Sequence, residues 1–153
     1  MSSATVDVSA PAEAVWALLS DLTRMGEWSP ETTRVEWTGG SSGPSVGATF
    51  KGTNKIGARR WSTNGRITAA DPPNLLEWEV TSVAGLKVAT WRYVIESTGE
   101  FSCRITESTQ DQRGSVMKVL GALATGVKDR STHNTDNMRA TLERIKAAAE
   151  PTS

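Results

Sequence analysis

Three side chains in this sequence are the candidates for moving protons at a site: Tyr93, Glu107 and His133. His133 is the only histidine, and its ordinary pKa lies nearest neutrality, which makes it the default acid or base. Glu107 closes a stretch in which Phe101, Cys103 and Ile105 alternate with Ser102, Arg104 and Thr106, so strand parity turns it to the apolar face. Tyr93 shares a face with Ala89, Trp91 and Ile95, and Arg59 shares one with Trp61. Cys103 reads as a small buried hydrophobe, since no base can be placed beside it. A single cysteine permits no intramolecular disulfide. With one His it also makes no ligand set for zinc, iron or copper, and no EF-hand or phosphate-loop spacing occurs. Any reaction is expected to need neither metal nor cofactor.

Six of the nine aromatic residues are Trp, and their positions divide into groups. Trp61, Trp78 and Trp91 share inward parity on three strands, whereas Trp28 and Trp37 flank a helix-to-sheet junction and Trp16 belongs to the first helix as a packing residue. Flat, rigid indoles are suited to stacking on a planar or polycyclic ligand. The expected ligand-lining set is Trp28 from the helical pair and Phe50, Asn54, Trp61, Thr63, Trp78, Trp91, Tyr93 and Cys103 from the strands. Leu120, Leu123 and Val127 are expected to join them from the terminal helix.

Positioning these side chains requires a sheet and a cover. Val6 and Val8 mark a strand at 4–9, and the Ser9-Ala-Pro-Ala-Glu13 start signal opens helices over 11–28 that carry Val15, Leu18, Leu19 and Leu22 as an apolar stripe. From 33 to 111 the period is two, punctuated by Gly39-Gly40, Gly57, Asp71-Pro-Pro-Asn74, Gly85 and Gly99, which accommodates six strands. Over 114–150 a long helix places Val116, Leu120, Leu123 and Val127, then Met138, Leu142 and Ile145, on its apolar side. Its stripe turns polar between Lys128 and Asn137, so that part faces water or a polar cavity. The expected architecture is α+β: a single domain over 1–153, with a curved antiparallel sheet of seven strands wrapped around the long C-terminal helix and two short helices after the first strand. One helix cannot fill the concave face of such a sheet, and the space left over is a ligand cavity.

Seventeen Lys and Arg balance seventeen Asp and Glu, so a general polyanion binder is not expected. The acid-free stretch containing Lys51, Lys55, Arg59, Arg60 and Arg66 is expected to pair with Glu77 and Glu79 on the next strand. Parity sends Trp61 away from Lys51 and Lys55, which argues against specific nucleic-acid binding. No run of about 18 apolar residues exists to form a transmembrane segment, and the first residues lack the pattern of a secretory signal, so a cytoplasmic location is expected.

The order of one strand, two short helices, six strands and one long helix resembles the START-like helix-grip superfamily, also called SRPBCC. Val15-Trp-Ala-Leu-Leu-Ser-Asp-Leu22, Glu27-Trp-Ser-Pro-Glu31, Gly47-Ala-Thr-Phe-Lys-Gly-Thr-Asn54 with Trp61, Ala89-Thr-Trp-Arg-Tyr93 and Asn137-Met-Arg-Ala-Thr-Leu-Glu-Arg-Ile-Lys146 are similar to its small bacterial, actinomycete-type members labelled polyketide cyclase/dehydrase or lipid-transport-like. The resemblance implies a bound hydrophobic small molecule, such as a polyketide, fatty acyl chain or sterol. Within it, Tyr93 and Arg59 are of the kind that orients polyketone oxygens. Binding or transfer of such a molecule is the leading expectation. A cyclase or dehydratase using Tyr93, Glu107 or His133 is the alternative, and a protein-interaction module the third.

Overall fold

The computed structural model describes residues 2–113 and 130–151. Strand β1 (Ser2–Val8) is followed by α1 (Ala12–Leu19), a 3₁₀ turn (Leu22–Arg24) and α2 (Met25–Trp28). Then come β2 (Thr32–Thr38), β3 (Thr49–Ile56), β4 (Arg59–Asp71), β5 (Leu75–Ser82), β6 (Lys87–Gly99) and β7 (Ser102–Asp111), and finally α3 (Arg130–Ala149). The seven strands form one antiparallel sheet in the order β1-β7-β6-β5-β4-β3-β2. Register shifts interrupt β4 against β5 between Ile67 and Ala69, and β5 against β6 between Val80 and Thr81. Irregularities of this kind bend a strand and tighten its twist, which gives the sheet a concave inner face.

The helical segment is more broken than two helices over 11–28: it has three pieces. Pro11 occupies the position before α1, and the Ser9 N–H instead donates to Glu150 Oε2 at 2.8 Å. Asp21 ends the first helix region and its carboxylate caps the 3₁₀ turn through the Thr23 N–H. Gly26 is required at the next contact, because a Cβ there would stand 2.7 Å from the Thr33 carbonyl oxygen.

Helix α3 buries Met138, Leu142 and Ile145, the i, i+4, i+7 stripe expected of it. It packs against β1, β7, α1 and α2. Lys146 Nζ donates to the Asp7 carbonyl at 2.9 Å and Arg144 Nη1 to the Trp28 carbonyl at 3.1 Å, fastening the helix to the corner where β1 turns into α1 and to the end of α2. The described part of α3 therefore sits toward the β1–β7 side, and the inner face of β3 to β6 borders a cavity. Three expectations are corrected, two of them at strand ends. Phe101 lies in the β6–β7 turn, 71% exposed, because the hairpin reverses before parity can act on it. Arg59 is exposed at the tip of the β3–β4 hairpin. Glu77 takes its ion pair from Arg92 on β6, at 3.7 Å, rather than from the basic stretch, of which Arg66 lies opposite Glu79. The expected helix over 114–129, with Leu120, Leu123 and Val127, lies outside the described residues.

Candidate functional site

The cavity measures about 360 Å³ and lies between the inner sheet face, α3 and the 3₁₀–α2 segment. That is toward the small end of the roughly 300–1,000 Å³ usual for small-molecule sites. Its sheet wall carries Phe50, Gly52, Asn54, Trp61, Thr63, Trp78, Val80, Ala89, Trp91 and Tyr93, residues that alternate along β3, β4, β5 and β6. Cross-strand register assembles them. Trp78 lies opposite Trp91, Asn54 opposite Trp61 and Gly52 opposite Thr63. Trp78 stacks on Tyr93 at 5.5 Å and meets Phe50 edge-on at 6.1 Å; Phe50 in turn meets Trp37 at 6.0 Å. Phe50, Trp78 and Tyr93 are thus one linked aromatic surface, which Trp37 extends toward β2. The helix wall is Asn134, Asn137, Met138 and Thr141, spaced i, i+3, i+4, i+7 on one face of α3.

Two polar regions interrupt this wall. The first is Glu107 on β7, directly opposite Tyr93 on β6. Both are buried, Glu107 at 3% exposure and Tyr93 at 1%. Tyr93 and Glu107 stand side by side across the strand pair, and Glu107 Oε1 has no partner among the described residues. Burial pushes the Glu107 carboxyl up to about 8, against a smaller downward pull from the Tyr93 hydrogen bond. Burial, with the neighbouring Glu107 charge and hydrogen bond adding to it, also holds the Tyr93 phenol well above its ordinary value. At neutral pH the pair is therefore mostly a carboxylic acid beside a phenol. It can donate a proton or a hydrogen bond into the cavity.

The second region joins β2, β3 and α3. Thr32 Oγ1 donates to Asn54 Oδ1 at 3.1 Å, Asn54 Nδ2 donates to Thr63 Oγ1 at 3.4 Å, and Asn137 Nδ2 donates to Glu31 Oε2 at 3.1 Å. Asn137 Nδ2 also lies 3.1 Å from His133 Nε2, and that ring nitrogen is 3.9 Å from Glu31 Oε2. An amide nitrogen only donates, so the imidazole Nε2 is the acceptor here. His133 is not part of the cavity wall; it stands one turn from Asn137 and orients it. The three proton-moving candidates are consequently divided, with Tyr93 and Glu107 together and His133 apart. Further along the wall, Arg113 holds Asp111 bidentately, at 3.0 and 2.7 Å.

Two expected lining residues lie elsewhere. Trp28 is buried, but its ring lies under the Arg24 guanidinium, 5.0 Å away, in the packing of α2 outside the cavity wall. Cys103 has the inward parity but sits opposite Val8 and Ser97, at the end of β6 and β7 that α1 covers, so it belongs to the solid core. Burial raises its thiol pKa, as suits an unreactive position. Conversely, Glu31, Asn134, Asn137, Asp111 and Arg113 line the cavity without having been singled out. The i, i+3 spacing of Asn134 and Asn137 beside Met138 is the signal that marks the helix pair.

A bent antiparallel sheet gripping a terminal helix, with a largely apolar cavity between them, is the helix-grip architecture. Residues 2–150 match the family described as polyketide cyclase / dehydrase and lipid transport, and the chain belongs to it. No curated protein matches the sequence. Among solved structures, the chain is similar to the polyketide cyclase-like protein Cgl2372 of Corynebacterium glutamicum, with 27% identity and a TM-score of 0.62 over 95% of this chain and 88% of that one. It also resembles the Zhui aromatase/cyclase of Streptomyces sp. R1128, with 16% identity and a TM-score of 0.67 over 96% and 91%. The di-domain aromatase/cyclase StfQ of the steffimycin biosynthetic pathway aligns at 13% identity and a TM-score of 0.73, covering 98% of this chain and 45% of StfQ. The chain thus spans about half of that di-domain protein. No helix among the described residues is long and apolar enough to cross a membrane.

Proposed function

We propose that the protein binds a hydrophobic, ring-bearing small molecule in the cavity between sheet and helix. The observation that carries this reading is the aromatic wall: Trp61, Trp78 and Trp91 all face a space of about 360 Å³. Aromatic rings lining a cavity offer flat, apolar contact to a planar guest. The test is calorimetric titration with 2-ethylnaphthalene. The wild-type protein is expected to bind it, and Thr63→Trp, which fills the cavity from β4, to weaken binding at least tenfold. Equal affinity in the two proteins would place the binding outside this cavity.

A second reading is favoured by one feature. Tyr93 and Glu107 converge in the cavity wall, and a buried carboxylic acid that titrates near neutrality suits general acid or base catalysis. In this reading the cavity holds a polyketide-like chain folded while Glu107 delivers or removes a proton, as a cyclase or dehydratase requires. Turnover of a poly-β-carbonyl substrate, lost in Glu107→Gln with binding retained, supports it. Equal turnover by that variant removes Glu107 from the chemistry.

A further inference from the structure

We infer that the end of the sheet formed by the β3–β4 and β5–β6 hairpins docks on an anionic phospholipid surface. Val83 and Leu86 enter the headgroup layer, and Lys55, Arg60 and Lys87 meet the lipid phosphates. The inference concerns the outside of the protein and does not depend on what the cavity holds.

Among the described residues, four large apolar side chains are more than half exposed: Val46, Val83, Leu86 and Phe101. Two of them share the β5–β6 hairpin, Val83 at 70% and Leu86 at 52%. The turn that carries them is hydrogen-bonded: the Gly85 N–H donates to the Ser82 carbonyl at 2.9 Å, and the Ser82 N–H to the Leu86 carbonyl at 2.8 Å. Gly85 adopts a φ of +83°, which lets the chain reverse at the tip. A fixed turn thus holds two aliphatic groups out in water, where entry into an apolar layer would stabilise them.

Charge identifies the layer. Thr63 of β4 lies opposite Ser82 of β5, so the β3–β4 hairpin, which turns at Gly57 and Ala58, stands beside the β5–β6 hairpin at the same end of the sheet. Residues 54–64 and 80–90, which span the two hairpin ends, contain Lys55, Arg59, Arg60 and Lys87 and no acid. Lys55 and Arg60 lie opposite each other across the strand pair; both are exposed, as is Lys87 beside Leu86. The other end of the sheet has the reverse sign. Its β4–β5 and β6–β7 hairpins, residues 67–76 and 93–103, contain Asp71, Glu96 and Glu100 and no Lys or Arg. The zero net charge is therefore a sum over two opposed ends, and an anionic surface orients the molecule with the basic end toward it. Phe101 is as exposed as Val83, but it lies at the acidic end beside Glu100.

Aliphatic groups flanked by cations match the boundary between lipid headgroups and acyl chains, which takes up both. A soluble acidic partner would use the cations alone. Trp61, Val83 and Val88 of these hairpins also belong to the cavity wall, so the cavity reaches the docking end.

The test is sedimentation with large vesicles at about 0.1 M salt, comparing pure phosphatidylcholine with the same lipid containing about 30% phosphatidylglycerol. The wild-type protein is expected to bind the anionic vesicles roughly tenfold or more above the neutral ones, and to be released at about 0.5 M salt. Each basic residue at the surface is worth roughly fivefold, so changing Lys55, Arg60 and Lys87 together to Ala should weaken binding by about tenfold or more. Leu86→Ser, which alters no charge, should weaken it roughly three- to tenfold, and Phe101→Ser, at the acidic end, should leave it unchanged. Equal binding to neutral and anionic vesicles, or an equal loss in Phe101→Ser, overturns the assignment of this end. Loss in the triple variant with none in Leu86→Ser overturns the lipid in favour of a soluble acidic partner. No sedimentation of the wild-type protein with either vesicle overturns the docking itself and leaves ligand binding in the cavity untouched.

Discussion

At Glu107, folding carries a carboxyl from water into an aromatic wall, where burial outweighs the help that Tyr93 gives a negative charge. The folded protein holds that proton up to about pH 8, whereas an unfolded carboxyl releases it near 4.5. Between those values the native state binds more protons than the unfolded state, so stability falls as pH rises. At about 1.36 kcal/mol per unit, the loss is on the order of 4 kcal/mol by pH 8. Urea unfolding should therefore show a stability decline from about pH 5 to pH 8 that Glu107→Gln flattens, leaving the variant more stable than wild type at pH 8. Parallel pH profiles in the two proteins would mean that Glu107 is ionised in the fold. Glu107 and the inward tryptophans were legible from alternation, because side-chain period two assigns a face to every strand residue. Alternation does not say which rung of a strand is covered by a helix. That is why Cys103, with the right parity, is under α1, and why Trp28, outside any strand, could not be assigned a wall.

Pairs of elements decide where the wall can stand. Phe50 lies across Gly65 on the neighbouring strand, and a Cβ at Gly65 would collide with its ring. The missing side chain lets Phe50 lie flat enough to brace Trp37 and Trp78 edge-on. Gly65→Ala should cost about 1–3 kcal/mol in chemical denaturation and weaken binding of 2-ethylnaphthalene, since the ring it displaces is part of the cavity. Unaltered stability and affinity would show that the ring can move without consequence. By contrast Phe101, exposed in its turn, should be replaceable by Ser within about 0.5 kcal/mol. Strands were readable because glycine and proline punctuate them. The helical segment was readable as two short helices that part near Asp21, but not as three pieces, since the change from a 3₁₀ turn to α2 between Arg24 and Met25 carries no helix-breaking residue.

For the molecule as a whole, the cavity follows from a mismatch between a seven-stranded curved sheet and a helix placed toward one side of it. Order along the chain and the length of the apolar-faced strands indicated a sheet with a helical cover. The position of α3 against β1 and β7 depends on long-range contacts such as Lys146 to Asp7 and Arg144 to Trp28, which no local pattern encodes. Because a guest binds only the folded form, occupancy should raise stability by about 2.7 kcal/mol at a hundredfold excess over Kd, with no gain in Thr63→Trp. The most direct test is native mass spectrometry of wild-type and Thr63→Trp protein purified from the cells that make them. The wild-type protein should carry a hydrophobic, ring-bearing molecule that the variant lacks; each protein appearing at its own ligand-free mass would contradict the cavity as the seat of function.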